Sequence, residues 1–192
     1  MDVDYYNENR GIASPLIEHN GIIIGVWMCG NNYRNASKLY GAYPPCYLKR
    51  MRLLFHKEMC KGGDILHLFS GDVRVYDKNH EATLDIRPES SPDIVANAEE
   101  VGTVIVGNSI DLILADPPYS NAHIKYNTPK ANKRRVIKGC VKILKVGGYL
   151  VWLDDMMPMW AKSDGWRLRG TIGLIQSTNH RCRLITILEK IW

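Results

Sequence analysis

The stretch Ile110-Asp111-Leu112-Ile113-Leu114-Ala115-Asp116-Pro117-Pro118-Tyr119 decides how the rest of the chain is read. Residues 110–115 form a short, nearly continuous apolar run, the pattern of a strand buried on both faces of a sheet. It ends at two consecutive prolines, which remove two backbone N–H donors, fix φ and keep two carbonyl acceptors. A carboxylate and a proline carbonyl at a strand end can together accept both hydrogens of an exocyclic –NH₂. The aromatic ring that follows can stack on the heterocycle bearing that amine. This combination holds an extruded adenine or cytosine, which makes Asp116, Pro117, Pro118 and Tyr119 the candidate catalytic residues. The plainer reading is a strand-ending turn with a core tyrosine; the basic segment that follows favours chemistry.

Working outward, residues 64–69 repeat the buried-strand pattern and end at Ser70-Gly71-Asp72. Further short strands are expected at 82–86, ending near Asp85, at 93–96, ending at Asn97, and at 149–153. A helix is expected over 130–144, with Val136, Ile137, Cys140, Val141 and Leu144 on one face. Pro44-Pro45 opens a second helical stretch that runs to about residue 59. Residues 22–28 read as a strand after Asn20-Gly21, and residues 1–20 as a loosely structured arm. The runs 166–175 and 183–191 read as a long antiparallel hairpin. Strands alternating with helices, then a hairpin, predict an α/β fold: a mostly parallel sheet with an antiparallel edge. In such sheets ligands bind at the carboxyl ends of the strands, where all the polar clusters above fall.

Asp116-Pro117-Pro118-Tyr119 resembles the (D/N/S)PP(Y/F/W) motif of S-adenosylmethionine (SAM)-dependent amino-methyltransferases. Leu66-His67-Leu68-Phe69-Ser70-Gly71 is similar to that family's first motif, the loop around the methionine part of the cofactor. The resemblance implies a Rossmann-like methyltransferase fold and a cofactor site built from Phe69, Ser70, Gly71, Asp85, Ile86, Asn97 and Asp116. Within it, Asp85 would grip the ribose hydroxyls and Asn97 would read the adenine amine. Gly41-Ala42-Tyr43-Pro44-Pro45 resembles an additional upstream cofactor motif, adding Tyr43, Pro44 and Pro45. The aspartate form of the catalytic motif implies transfer to the exocyclic amine of adenine in DNA. The alternatives are cytosine, RNA, glutamine in a protein, or a catalytically weak cofactor-binding subunit. About a dozen residues separate Gly71 from the next strand, too few for a full crossover helix, so a trimmed cofactor loop is expected.

The chain has 192 residues, 45% of them hydrophobic and 23% charged, which fits a folded chain and excludes disordered or coiled-coil classes. We expect one methyltransferase domain over 1–192, with an arm and strand over 1–40 and the cofactor-binding and catalytic core over 41–192. That length leaves no room for a large target-recognition region, so a partner chain or homodimer is a candidate source of specificity. Residues 62–116 carry 11 acidic and 3 basic side chains, whereas 119–145 carry 8 basic and none acidic. This segregation points to a polyanion on one face, with Lys125, Lys130, Lys133, Arg134, Arg135 and Arg181 as candidate phosphate contacts. A solvated helix face is the competing reading.

Five scattered cysteines without a Cys-x-x-Cys pair predict reduced core thiols and no metal site. His67 and His80 read as core or surface residues, and Asp154-Asp155 as a solvated loop. Trp160 is a core aromatic or a wall of the base pocket. Asp2, Asp4 and Glu8 are unlike a signal peptide, and no apolar run reaches the ~20 residues of a membrane span. A cytoplasmic protein is expected.

Overall fold

The computed structural model describes residues 1–30, 43–76, 79–119, 124, 127–177 and 180–192. Lys125, residues 41–42 of the upstream motif and Asn179 at the hairpin tip lie outside the described residues. The helices are α1 (Val3–Asn9), α2 (Tyr47–Leu54), α3 (His56–Cys60), α4 (Val73–Tyr76), α5 (Val101–Val104) and α6 (Lys133–Ile143). The strands are β1 (Leu16–His19), β2 (Ile22–Cys29), β3 (Ile65–Leu68), β4 (Ala82–Asp85) and β5 (Ile94–Val95). They continue with β6 (Ile110–Ala115), β7 (Leu144–Asp154), β8 (Trp166–Gln176) and β9 (Cys182–Lys190).

The described strands form one sheet in the order β1-β2-β8-β9-β7-β6-β3-β4-β5. β5, β4, β3, β6 and β7 are mutually parallel. β9 runs antiparallel to both β7 and β8, which is the hairpin expected from the sequence. After β3 the chain steps outward to β4 and β5 and then returns to β6 on the other side of β3. The order therefore reverses between β3 and β6, and a crevice opens at their carboxyl ends.

Helices pack on both faces of the parallel half of the sheet, whereas at the β1–β2 edge one face is open, with Ile17, Ile24, Val26 and Met28 exposed. On one face Tyr6, Trp27, Tyr47, Met51 and Phe55 form a core with Leu112, Leu114 and Val151. On the other, Ile137, Cys140 and Ile143 of α6 pack on Leu66, Ile113 and Leu150. α5 and α6 meet through glycines: a Cβ on Gly139 would lie 2.7 Å from Val101 Cγ1, so no larger residue fits without displacement. Residues 77–78 aside, the β3–β4 connection contains only the one-turn α4, the trimmed crossover predicted above.

The N-terminal arm is a correction. Asp2 caps α1, accepting from Tyr5 N at 3.0 Å. Tyr6 is fully buried, its ring 5.8 Å from that of Trp27. Asn7 clasps Leu16 through both its amide nitrogen and oxygen, each at 2.9 Å. β1 then pairs with β2, which itself adds parallel to β8. This segment builds on caps and clasps made by short polar side chains, which leave no apolar period to read. Other boundaries moved. The third parallel strand shrinks to Ile94–Val95, α6 begins at Lys133, and the helix after Pro45 breaks at Phe55 into α2 and α3. Of the cysteines, Cys29 and Cys140 are buried, but Cys46, Cys60 and Cys182 are exposed. Among the described residues no helix is long and apolar enough to cross a membrane.

Candidate active site

The carboxyl end of β3 turns sharply. Phe69 and Gly71 both have left-handed backbones, with φ of 58° and 52°. Such a conformation costs a non-glycine residue like Phe69 energy. Ser70 N is held by Leu84 O at 3.1 Å, and Gly71 N donates to Asp85 Oδ2 at 2.8 Å. Asp85, at the end of β4, is buried, and its Oδ1 accepts from Arg87 N at 2.9 Å and Arg87 Nε at 3.2 Å. The Ser70 hydroxyl is buried and has no hydrogen-bond partner among the described residues.

A shallow cleft, open to solvent on one side, runs from this turn across the ends of β4 and β5. Phe69, Leu84, Asp85, Ile86, Asn97, Ala98 and Pro118 line it, with Thr128, Pro129, Lys130 and Ala131 closing the far wall. Its apolar walls with a few polar groups are the kind of lining that small-molecule sites carry. Asn97 Oδ1 caps the following helical turn, accepting from Glu99 N at 3.0 Å.

Beside the cleft, at the carboxyl end of β6, stands Asp116. Its Oδ1 is ion-paired to Arg183 Nη2 of β9, and the same nitrogen donates to Leu153 O at 3.2 Å. Arg183 is 5% exposed, so the pair sits almost out of water, where its Coulomb attraction is strong. Burial pushes the Asp116 carboxyl above its ordinary value, against the opposing pull of Arg183 and the more distant Lys133. Burial would lower the Arg183 guanidinium, but Asp116 outweighs it and the net shift is upward. The Arg183 guanidinium carbon lies 4.6 Å from the Tyr119 ring centre and that of Arg181 4.9 Å. Arg181 Nη1 also donates to the Tyr119 hydroxyl at 3.3 Å.

Two further groups frame this corner. Asp154, at the end of β7, is 2% exposed; it accepts from Lys133 Nζ at 2.6 Å and Trp152 Nε1 at 3.0 Å. It is therefore no solvated loop, and burial raises its carboxyl even against Lys133. Behind β3, Tyr43 donates to Leu114 O at 3.1 Å and meets His67 Nδ1 at 3.2 Å, while His67 Nε2 lies 2.7 Å from Glu81.

The structure thus brings Phe69, Asp85, Ile86, Asn97 and Pro118 into one cleft, whereas Ser70, Gly71, Asp116, Pro117 and Tyr119 adjoin those residues in the chain but do not line it. It does not bring the upstream motif there: Tyr43 turns inward, and neither it nor Pro44 nor Pro45 lines the cleft. The basic candidates also divide. Lys130 lines the cleft, Lys133 is bound by Asp154, Arg135 pairs with Glu99 at 3.3 Å, and Arg134 is exposed. Trp160 is partly buried against the α6-side core.

Arg183 and Asp154 are absent from the sequence-based candidates, although both left a signal. Residues 183, 185 and 187 point to one side of β9, and Ile185 and Ile187 are fully buried. A charge at the third inward position requires a buried anion. Asp154 occupies the same strand-end rank as Asp85 and Asp116.

No protein-family profile and no curated protein matches the chain. Solved structures do. TrmN from Thermus thermophilus superposes with a TM-score of 0.58 at 18% identity, covering 81% of this chain and 51% of TrmN. The fold is that of the methyltransferases. A SAM-dependent methyltransferase from Methanosarcina mazei gives a TM-score of 0.51 at 13% identity, covering 72% of this chain and 97% of its own. The chain spans about half the length of TrmN. On the methyltransferase fold the β3–β6 crevice is the switch point of the sheet, and the cleft, Asp85 and Asp116 all lie at the same carboxyl ends.

Proposed function

We propose that the protein is a SAM-dependent methyltransferase acting on the exocyclic amine of adenine in DNA. The observation that carries this reading is the placement of Asp116, followed by Pro117-Pro118-Tyr119, beside the cleft that runs from the Phe69–Gly71 turn to Asp85 and Asn97. Parts of the cleft lining suit SAM: Asp85 would accept from the ribose hydroxyls, and Ile86 and Ala98 offer apolar walls with Asn97 beside them. The buried Ser70 hydroxyl, which has no partner among the described residues, adjoins the cleft at the Phe69–Gly71 turn without lining it. Bound SAM supplies a methyl group on a sulfonium, already an activated leaving group.

The chain's own contribution is position and electrostatics. Arg183 occupies Asp116 Oδ1, which leaves Oδ2 to accept one amine hydrogen; the Pro117 carbonyl accepts the other. Both acceptors raise electron density on the nitrogen and turn its lone pair towards the methyl carbon. As the N–C bond forms, the C–S bond breaks and the extra proton leaves to water. Tyr119 stacks on the extruded base, and a base arriving there displaces the exposed Arg181 rather than the buried Arg183. Arg134 and the displaced Arg181 then face the phosphate backbone. Calorimetric titration with SAM tests the first half of this reading. Binding is expected, and a chain that binds no SAM contradicts it.

A further inference from the structure

We infer that Arg183 is a positioning residue for the methyl-transfer step: it holds the Asp116 carboxylate in its charged, two-acceptor form and fixes its orientation. The inference rests on the assignment of Asp116 to the amine-binding site. Arg183 reaches Asp116 from β9, across a sequence separation of 67, and is anchored from β7 by the Leu153 carbonyl at 3.2 Å. Its face also lies against Tyr119. One planar side chain therefore ties together the carboxylate, the stacking ring and the end of β7. A guanidinium suits this role because its fork is rigid and it does not lose its proton.

The need for such a partner follows from burial. A desolvated carboxylic acid favours its neutral form, and burial is the largest influence on Asp116. Once protonated, one oxygen becomes a donor, so the pocket loses an acceptor for the amine. The groups facing Asp116 are Arg183 on β9, Lys133 on α6, Tyr47 on α2 and Tyr43 ahead of it. Of these two cations, Lys133 is held by Asp154, and among the described residues Arg183 is the cation in contact with Asp116. The tyrosines add no charge beside Asp116, since burial raises both hydroxyls further above neutral pH and keeps them neutral.

The test is the titration of Asp116 by carboxyl ¹³C NMR on the full chain, assigned by the signal that Asp116→Asn removes. In Arg183→Met the midpoint is expected to rise by about one to three pH units. Methyl transfer falls about tenfold per pH unit below the new midpoint and recovers as pH is raised through it, with the KM for SAM unchanged. A merely structural arginine gives a loss that is the same at every pH. Arg183→Lys keeps the charge but not the fork, and a smaller rise of the same sign is expected; it decides the matter if the methionine variant does not fold. An unchanged midpoint in either folded variant overturns the inference. Absence of transfer by the wild-type protein would instead overturn the assigned reaction, while the titration still reports on Arg183.

Discussion

Asp85 and Asp116 end the two strands that flank β3, and both carboxylates are largely withdrawn from water. Their partners differ in kind. Asp85 is satisfied close to home: Gly71 N and two donors of Arg87 bind it, and Arg87 is only two residues on. Asp116 depends on one cation delivered from β9, near the other end of the chain. The first arrangement shapes a loop and follows from local sequence. The second sets the charge of a single reactive group and exists only once the sheet has closed. The contrast separates a carboxylate that orders the wall of the cleft from one whose ionisation, in the proposed reaction, depends on a distant strand.

The comparison can be broken most sharply at Asp116. Asp116→Asn keeps the shape but replaces an anionic acceptor by an amide. Transfer is expected to fall about 10³-fold, in the range found for losing one preorganised electrostatic contact. Circular dichroism and SAM affinity should stay close to wild type. Asp85→Asn should show the reverse. It weakens a charge-assisted bond and frees the Gly71 turn, so calorimetry should show SAM affinity reduced about 10–100-fold, with less change in transfer at saturating cofactor.

Glu81, a partly buried carboxylate away from the cleft, tests whether strand-edge charge here serves stability alone. Burial would raise it, but bonds from His67 and Arg52 outweigh that, and it lies below its ordinary value of 4.5. A depressed folded-state value means that Glu81 stabilises the fold above pH 4.5. That contribution is lost as pH falls through the lower folded value. Denaturant unfolding should find Glu81→Gln less stable by about 1–3 kcal/mol at pH 7, with the gap closing on acidification below pH 4.5. Transfer per folded molecule should not change.

The smallest effect belongs to the exposed face. Arg134→Glu should weaken DNA binding uniformly across sequences and lower the slope of log affinity against log salt by about one. An unchanged slope removes Arg134 from the phosphate contacts.

What was legible in the sequence follows the same division between local and distant causes. The runs ending at Phe69, Asp85 and Asp116 announced their strands because burial on both faces leaves a continuous apolar pattern. The polar residues closing them fall at the carboxyl ends of the strands, where open α/β sheets bind their ligands. The Asp85–Gly71 bond spans 14 residues and links two motifs already read together. The Asp116–Arg183 pair was not legible. Nothing in the spacing says that β9 inserts between β7 and β8, and the positive charge of Arg183 blended into a generally basic segment. Lys133 misled for the same reason: counted as a free cation of a basic helix, it is committed to Asp154. The N-terminal strand could be read as a strand, but not its parallel union with β8, which carries no local signature.

The central claim is that Asp116 presents a base amine to a sulfonium methyl. Its most direct test is transfer of labelled methyl from SAM to unmodified DNA, RNA and protein in parallel, followed by nucleoside analysis. The account predicts label in N6-methyldeoxyadenosine with the wild-type protein and none above background with Asp116→Asn. Label recovered only from RNA or protein, or equal labelling of DNA by both proteins, would contradict it.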